Sequence, residues 1–121
     1  MRALIVDDSR SIRSYVRLLL EKHGLECIEA ENGQGALVAI QQFGVCDLAL
    51  VDVNMPVMGG LECVKAMRSI PEMTSMKIMM VTSEADHTLI EAALEAGADE
   101  YLLKPFDAAA LIGKLQMIGI A

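Results

Sequence analysis

The fold of this chain is decided by residues 48–56, which read LALVDVNMP. The apolar run 48–51 ends in Asp52, and Pro56 follows as a residue that central strands rarely contain. A continuously apolar run of this length is typical of a strand that is buried on both faces of a parallel sheet. We therefore expect Asp52 at the carboxyl edge of such a sheet, which is where open α/β sheets bind ligands.

Three more strand patterns end in side chains that can carry chemistry. Residues 3–6 precede Asp7-Asp8, residues 77–81 precede Thr82-Ser83, and residues 101–103 precede Lys104-Pro105. If all four runs are parallel strands of one sheet, these polar groups gather at the same edge as Asp52.

Helical patterns separate the strand patterns. Apolar residues recur at helical spacing between successive runs, as in Ile12, Val16, Leu19 and Leu20 of the first helix. Ser9 or Ser11 can cap that helix, and Asp107 can cap a last helix, Ala108–Met117. A fifth strand pattern, Glu26–Ala30, alternates more than the others and suits a sheet edge. Strict alternation predicts an α/β, doubly wound parallel sheet of five strands with five helices.

Composition excludes several classes of protein. The chain has 121 residues, enough for one domain, and 54% of them are hydrophobic, which excludes a disordered chain. The sequence contains neither an apolar run of transmembrane length nor a signal-peptide pattern, so we expect a cytoplasmic protein without membrane insertion. Three scattered cysteines predict neither a disulfide framework nor a zinc site.

The net charge of −7 argues against direct nucleic-acid binding, which needs a basic surface. A local exception is a face of the first helix that carries Arg10, Arg13 and Arg17. This face is either a solvated surface or a docking face for an acidic partner.

The polar groups at the strand ends together suit phosphoryl transfer. Clustered carboxylates repel one another unless a cation neutralises them, and oxygen ligands with several waters suit Mg²⁺. A carboxylate beside such an ion can act as a nucleophile, and Lys104 and Thr82 can hold phosphoryl oxygens. Taken singly, Asp7-Asp8 also fits a helix-capping pair and Asp52 a turn residue.

The ordered set of these residues resembles the signature of the response-regulator receiver domain. The resemblance runs from Arg2 to Met117 and rests on the following residues: Asp7-Asp8, Asp52 with Met55-Pro56 and Gly60, Thr82, and Lys104-Pro105-Phe106. It implies that residues 1–121 form one receiver domain with a flavodoxin-like fold and strand order 2-1-3-4-5. The nearest members are of the single-domain chemotaxis type.

The resemblance also implies a role for each site residue. Asp52 would be the phosphoacceptor, Thr82 the switch hydroxyl and Tyr101 the switch aromatic. Lys104 would contact the phosphoryl group, with a cis bond to Pro105. Mg²⁺, or Mn²⁺ in its place, would be held by four groups: Asp8, Asp52, the main-chain carbonyl of Asn54 and, mainly through water, Asp7.

The implied protein is a signalling switch that catalyses only its own phosphorylation and dephosphorylation. Its partners would be a histidine kinase or phosphotransfer protein and a downstream protein target or output domain. We expect a monomer or weak dimer, because the family's charge-paired dimers use helices four and five and here Lys114 is the only base on those helices.

Four alternatives remain open at this point. The chain could be the receiver part of a longer multidomain regulator, or a receiver that only binds partners without phosphorylation. An aspartyl-nucleophile phosphatase usually has an acid two residues after the nucleophile, where this chain has Asn54. A flavin carrier needs a phosphate loop after the first strand and aromatic residues, which are only 3% here.

Overall fold

The computed structural model describes residues 1–53, 55, 57–83 and 87–120, and within these residues five strands alternate with five helices. The strands are β1 (Arg2–Val6), β2 (Glu26–Ala30), β3 (Leu48–Asp52), β4 (Lys77–Thr82) and β5 (Glu100–Leu103). The helices are α1 (Arg10–Lys22), α2 (Gly33–Phe43), α3 (Gly60–Arg68), α4 (His87–Ala96) and α5 (Ala108–Met117). A short 3-10 helix, Pro71–Met73, follows α3. No helix in the described part of the chain is long and apolar enough to span a bilayer.

The five strands form one parallel sheet in the order β2-β1-β3-β4-β5. This order confirms the flavodoxin-like prediction, including the placement of β2 at an edge. The apolar runs of the sequence predicted that β3 ends at Val51 and β4 at Val81. In the structure both strands are one residue longer, and they end at Asp52 and Thr82. Asp52 pairs with Val81 and Thr82 pairs with Leu103, so the backbone of both polar residues is held by neighbouring strands.

Two apolar layers cover the sheet because successive strand residues point to opposite faces. Leu4 and Val6 lie in a layer with residues of α2, α3 and α4, and Ala3 and Ile5 lie in a layer with residues of α1 and α5. β3 contributes to both layers and is buried along its whole length. Asp52 therefore ends the most central strand of a fully covered sheet.

Helix caps fix where the chain enters the helices after the sheet. The Ser9 side chain accepts a hydrogen bond from Ile12 N, so Ser9 rather than Ser11 is the cap of α1. Asp107 caps α5 by accepting from Ala110 N at 2.8 Å, as predicted. Asp7-Asp8 lie before the α1 cap, so they are not the capping pair of this helix.

All three cysteines are free thiols, which agrees with the prediction that they form no disulfide framework. Burial raises the pKa of Cys63 to about 12 and that of Cys27 to about 11. Both are therefore protonated at neutral pH, when they resemble small apolar core residues more than reactive groups.

Gly60 allows α3 to begin directly against the end of β3. A Cβ at this position would lie 2.4 Å from the Asp52 carbonyl oxygen and 2.8 Å from Val53 Cα. We predict that Gly60→Ala destabilises the protein by about 1–3 kcal/mol, because backbone atoms cannot move aside cheaply.

The matched control for this change is Gly113→Ala within α5, where nothing lies within 4 Å of the added Cβ. This change should stabilise the protein by about 0.5–1 kcal/mol, because alanine is the better helix former. Urea unfolding of both variants measures the two effects. Equal stabilities of Gly60→Ala and wild type would contradict the close-approach argument.

Candidate functional site

Three carboxylates meet at the carboxyl edge of the sheet. Oxygen atoms of Asp7, Asp8 and Asp52 all lie within 4.8 Å of one another. The sheet register brings them together, because Val6 pairs with Val51 and the next residue on each strand is an aspartate. Asp7 and Asp52 are buried, whereas Asp8 is exposed and leaves the cluster open to solvent. The predicted gathering of these acids is therefore present.

Lys104 supplies a positive charge that lies beside two of these three acids. Its Nζ donates to Asp7 Oδ2 at 2.8 Å and lies 3.7 Å from Asp52 Oδ1. The Lys104 backbone N–H donates to the Thr82 carbonyl at 2.8 Å, which ties the β5–α5 loop to the end of β4. The Lys104–Pro105 peptide bond is cis, as the resemblance implied. The ammonium group thus offsets part of the repulsion among the acids.

Thr82 lies between the acids and the lysine in strand order. It is the last residue of β4, and it is 1% exposed. Since β4 separates β3 from β5, the Thr82 position lies between Asp52 and Lys104 along the edge. Thr82 therefore ends its strand at the same edge as the acids, next to the exposed Ser83.

Tyr101 lies on β5, away from the carboxylates and close to α5. Tyr101 is partly buried against the apolar layer of α2, α3 and α4. Lys114 Nζ lies 4.7 Å from the ring centroid and 3.2 Å from Glu100 Oε1. These contacts connect the predicted switch aromatic to the surface of α5, which the sequence did not indicate.

One sequence prediction falls outside the residues that the structure describes, namely the main-chain carbonyl of Asn54 as a metal ligand. The neighbouring Met55 is partly buried against the apolar layer of α2, α3 and α4.

Sequence reasoning missed the role of Arg13. The predicted basic face of α1 was expected to be solvated or to dock a partner, but Arg13 is only 9% exposed. Its Nη1 donates to the Asp7 carbonyl at 2.7 Å, and its Nε donates to Glu29 Oε1 at 3.0 Å. The available signal was its spacing, since Arg13 lies three residues before the buried Val16 and hence on the inner face.

Arg17 is also engaged within the molecule. It donates to both Glu21 and Glu29 and to the Cys27 carbonyl. Burial raises the pKa of the Glu29 carboxyl, but hydrogen bonds from Arg17 and Arg13 outweigh burial and hold this pKa below its usual value of 4.5. Of the predicted basic face, only Arg10 fits the solvated interpretation.

The depressed pKa of Glu29 makes part of the stability dependent on pH. A carboxyl whose pKa is lower in the folded state contributes stability above its unfolded pKa, and this contribution is lost as the pH falls through the folded pKa. We predict that Glu29→Gln is less stable than wild type at pH 7 and loses less stability below about pH 4.5. Urea unfolding between pH 3 and 7 measures both effects.

The control is Glu26→Gln on the same strand, because the Glu26 side chain is 78% exposed and that of Glu29 is 26% exposed. Glu26→Gln should leave the acid limb of the stability curve as in wild type. Identical acid limbs for Glu29→Gln and wild type would show that the two arginines do not stabilise this carboxylate.

Comparisons with known proteins agree on one family. The model of the response regulator receiver domain matches residues 3–116. Chemotaxis protein CheY1 of Helicobacter pylori is 34% identical over 119 residues, which are 98% of this chain and 96% of that protein. Chemotaxis protein CheY-3 of Vibrio cholerae is 38% identical over 119 residues, which are 98% of this chain and 91% of that protein. The solved structure of Vibrio cholerae CheY4 has a TM-score of 0.90 and 38% identity, and the match covers 97% of each chain.

Proposed function

This chain belongs to the response regulator receiver domain family, and on that premise we propose that Asp52 is its phosphoacceptor. The observation that carries the proposal is the meeting of Asp52 with Asp7, Asp8 and Lys104 at one sheet edge. The proposed domain spans residues 1–121. Its output surface, formed by α4, β5 and α5, would control a separate protein target or an attached output domain.

The donor set fits a hard divalent cation. It offers carboxylate oxygens from three residues within 4.8 Å, one of them exposed so that waters can complete the shell. Asp8 and Asp52 would hold Mg²⁺ or Mn²⁺ directly, Asp7 mainly through water, and the Asn54 carbonyl would be a further ligand. The bound ion supplies charge neutralisation for the carboxylates and for the incoming phosphoryl oxygens.

The proposed reaction transfers a phosphoryl group from a phosphohistidine of a histidine kinase or phosphotransfer protein. An Asp52 oxygen attacks phosphorus, the new P–O bond forms as the P–N bond breaks, and the imidazole leaves with the bonding electron pair. Lys104 Nζ, 3.7 Å from Asp52 Oδ1, can donate to the new phosphoryl oxygens. Water later attacks phosphorus and releases inorganic phosphate, which restores the carboxylate.

Phosphorylation would act on the output surface through two residues. New oxyanions at Asp52 attract the Thr82 hydroxyl by a charge-assisted hydrogen bond, and this favours one of two packings. Movement of Thr82 would leave room for Tyr101 to turn inward. Because Tyr101 contacts Lys114, this turn would alter the α5 face of the surface.

The protein is proposed to work as a switch in the cytoplasm, where histidine kinases obtain their phosphoryl group from ATP. It would catalyse only its own phosphorylation and dephosphorylation, as a monomer or weak dimer. The proposal includes neither direct nucleic-acid binding nor insertion into a membrane.

We predict that phosphoramidate with Mg²⁺ adds one phosphate to the wild-type protein, as measured by intact mass. Asp52→Asn should abolish this addition, because the amide is not a nucleophile. Asp8→Ala should weaken Mg²⁺ binding severely, because it removes an exposed carboxylate from a small ligand set.

The matched control is Asp47→Asn, at the other end of the third strand, and it should label as wild type does. Labelling of Asp52→Asn to the wild-type extent would refute the assignment. Labelling that is equally fast with excess chelator would refute the requirement for a divalent ion.

A separate prediction concerns the switch. Thr82→Ala should still accept phosphate but should not pass the signal to Tyr101, whereas Thr82→Ser keeps the hydroxyl and should behave like wild type. NMR spectra with and without beryllofluoride, a phosphoryl mimic, measure this coupling. Wild type should show shifts at Tyr101 and residues 91–96, and Thr82→Ala should lose most of them.

The same coupling should appear in binding of the downstream partner. A tenfold gain in affinity on phosphorylation requires about 1.4 kcal/mol of differential binding free energy. Wild-type shifts that stop at the loops around Asp52 would mean that the site and the surface are not coupled.

A further inference from the structure

The main chain of Asp7 is held from both sides. Its N–H donates to the Ala30 carbonyl at 3.1 Å, and its carbonyl accepts from Arg13 Nη1 at 2.7 Å. The Asp7 side chain is also held, because Oδ1 accepts from Ser9 N at 2.9 Å and Oδ2 accepts from Lys104. Asp7 is thus fixed at every hydrogen-bonding group.

Arg13 acts on Asp8 through the same hydrogen bond. The Asp7 carbonyl belongs to the planar peptide unit that joins Asp7 to Asp8, so fixing this carbonyl fixes the direction in which the chain enters Asp8. Asp8 is exposed, and no hydrogen bond to its carboxylate is found among the residues with described positions. The backbone therefore sets the position from which this side chain extends towards the cluster.

The guanidinium of Arg13 is itself held in place. Glu29 on the edge strand β2 accepts from Arg13 Nε and also from Arg17, and Arg17 Nη2 donates to the Cys27 carbonyl at 2.9 Å. Arg13 and Glu29 are both largely withdrawn from solvent, which strengthens the pair. A chain of hydrogen bonds thus runs from the outer strand to the peptide between the two acids.

We propose that Arg13, held by Glu29, is a positioning residue that presets the Asp7-Asp8 carboxylates for a divalent cation. The inference rests on the proposed function, in which this pair takes part in Mg²⁺ binding. In this role Arg13 would act through the Asp7 carbonyl and would not itself be a metal ligand.

The direction in which Mg²⁺ affinity changes when Arg13 is replaced distinguishes a positioning role from a purely electrostatic one. A cation close to an acidic site repels Mg²⁺, so removal of the Arg13 charge alone would tighten Mg²⁺ binding. Loss of positioning would weaken it, since residues that orient metal ligands typically contribute tenfold to a hundredfold in affinity. The proposal requires the second outcome.

The experiment measures the Kd of Mg²⁺ by calorimetry at fixed ionic strength for the wild-type chain and five variants. Arg13→Met removes the hydrogen-bond donors and the charge of the guanidinium but keeps an unbranched apolar side chain. Arg13→Lys keeps the charge but lacks the planar guanidinium that donates to both Glu29 and the Asp7 carbonyl. Arg10→Met is the control, because it removes the same charge from an exposed position on the same helix. Glu29→Gln, alone and combined with Arg13→Met, tests whether Glu29 acts through Arg13.

We expect Arg13→Met and Arg13→Lys to weaken Mg²⁺ binding by about tenfold or more. Arg10→Met should bind Mg²⁺ at least as tightly as wild type. Phosphorylation of the two Arg13 variants by phosphoramidate should need about tenfold more Mg²⁺ for half-saturation than that of wild type. It should reach a similar plateau, because only binding of the ion is weakened. Glu29→Gln should weaken binding in the wild-type background and have little further effect in Arg13→Met.

Wild-type or tighter Mg²⁺ binding by Arg13→Met and Arg13→Lys would overturn the proposal and leave the proposed function intact. Additive effects of Glu29→Gln and Arg13→Met would likewise overturn it, since they indicate independent charge effects. If Arg13→Met does not fold, Arg13→Lys and Glu29→Gln decide the question. Wild-type protein that neither binds Mg²⁺ nor accepts phosphate would refute the proposed function, and with it this inference.

Discussion

Mutual repulsion of the carboxylates at one edge of the sheet is the constraint on which the other features of the site depend. The parallel register of β1 and β3 places Asp7 and Asp52 side by side at the carboxyl edge of the sheet. Asp8, the next residue after Asp7, lies in the same cluster. Two of these acids are buried, where an unpaired charge is costly. Lys104 on one side offsets this repulsion. Arg13, on the other side, donates to the backbone of Asp7.

A second network holds the opposite end of the molecule. Arg68 at the end of α3 donates to the Gly97 carbonyl at 3.0 Å and to Asp99 Oδ2 at 3.0 Å. The same Asp99 oxygen accepts from the Ile78 N–H at 2.8 Å, at the beginning of β4. The C-terminal end of α4 is therefore tied to α3 and to the sheet. This gives the proposed output surface a fixed boundary away from the proposed phosphorylation site.

The chain is the receiver domain of a CheY-like response regulator, which implies phosphorylation-dependent signalling. The proposed phosphoacceptor and the proposed switch residues lie on neighbouring strands of one sheet. The acids, Thr82 and Lys104 are at the strand ends, whereas Tyr101 lies within β5. Under the proposed function, a charge placed at Asp52 would act through β4 and β5 on the surface of α4, β5 and α5.

The sequence by itself determined the fold class and most of the site. Apolar runs that end in Asp7, Asp52, Thr82 and Lys104 predicted parallel strands with these groups at one edge, because burial on both faces leaves a clear pattern. The strand order came from the family resemblance, since alternation of strands and helices alone does not specify which strands are neighbours.

Only the tertiary structure decided which charges pair. Lys104 donates to Asp7, 97 residues away in the sequence. Arg13 was expected on a solvated face, but it is buried and donates to the Asp7 carbonyl and to Glu29. Such pairs depend on how α1, β2 and the β5–α5 loop pack across non-consecutive strands. Local patterns record which residues are buried, whereas the partner of a buried charge is set by packing between distant segments.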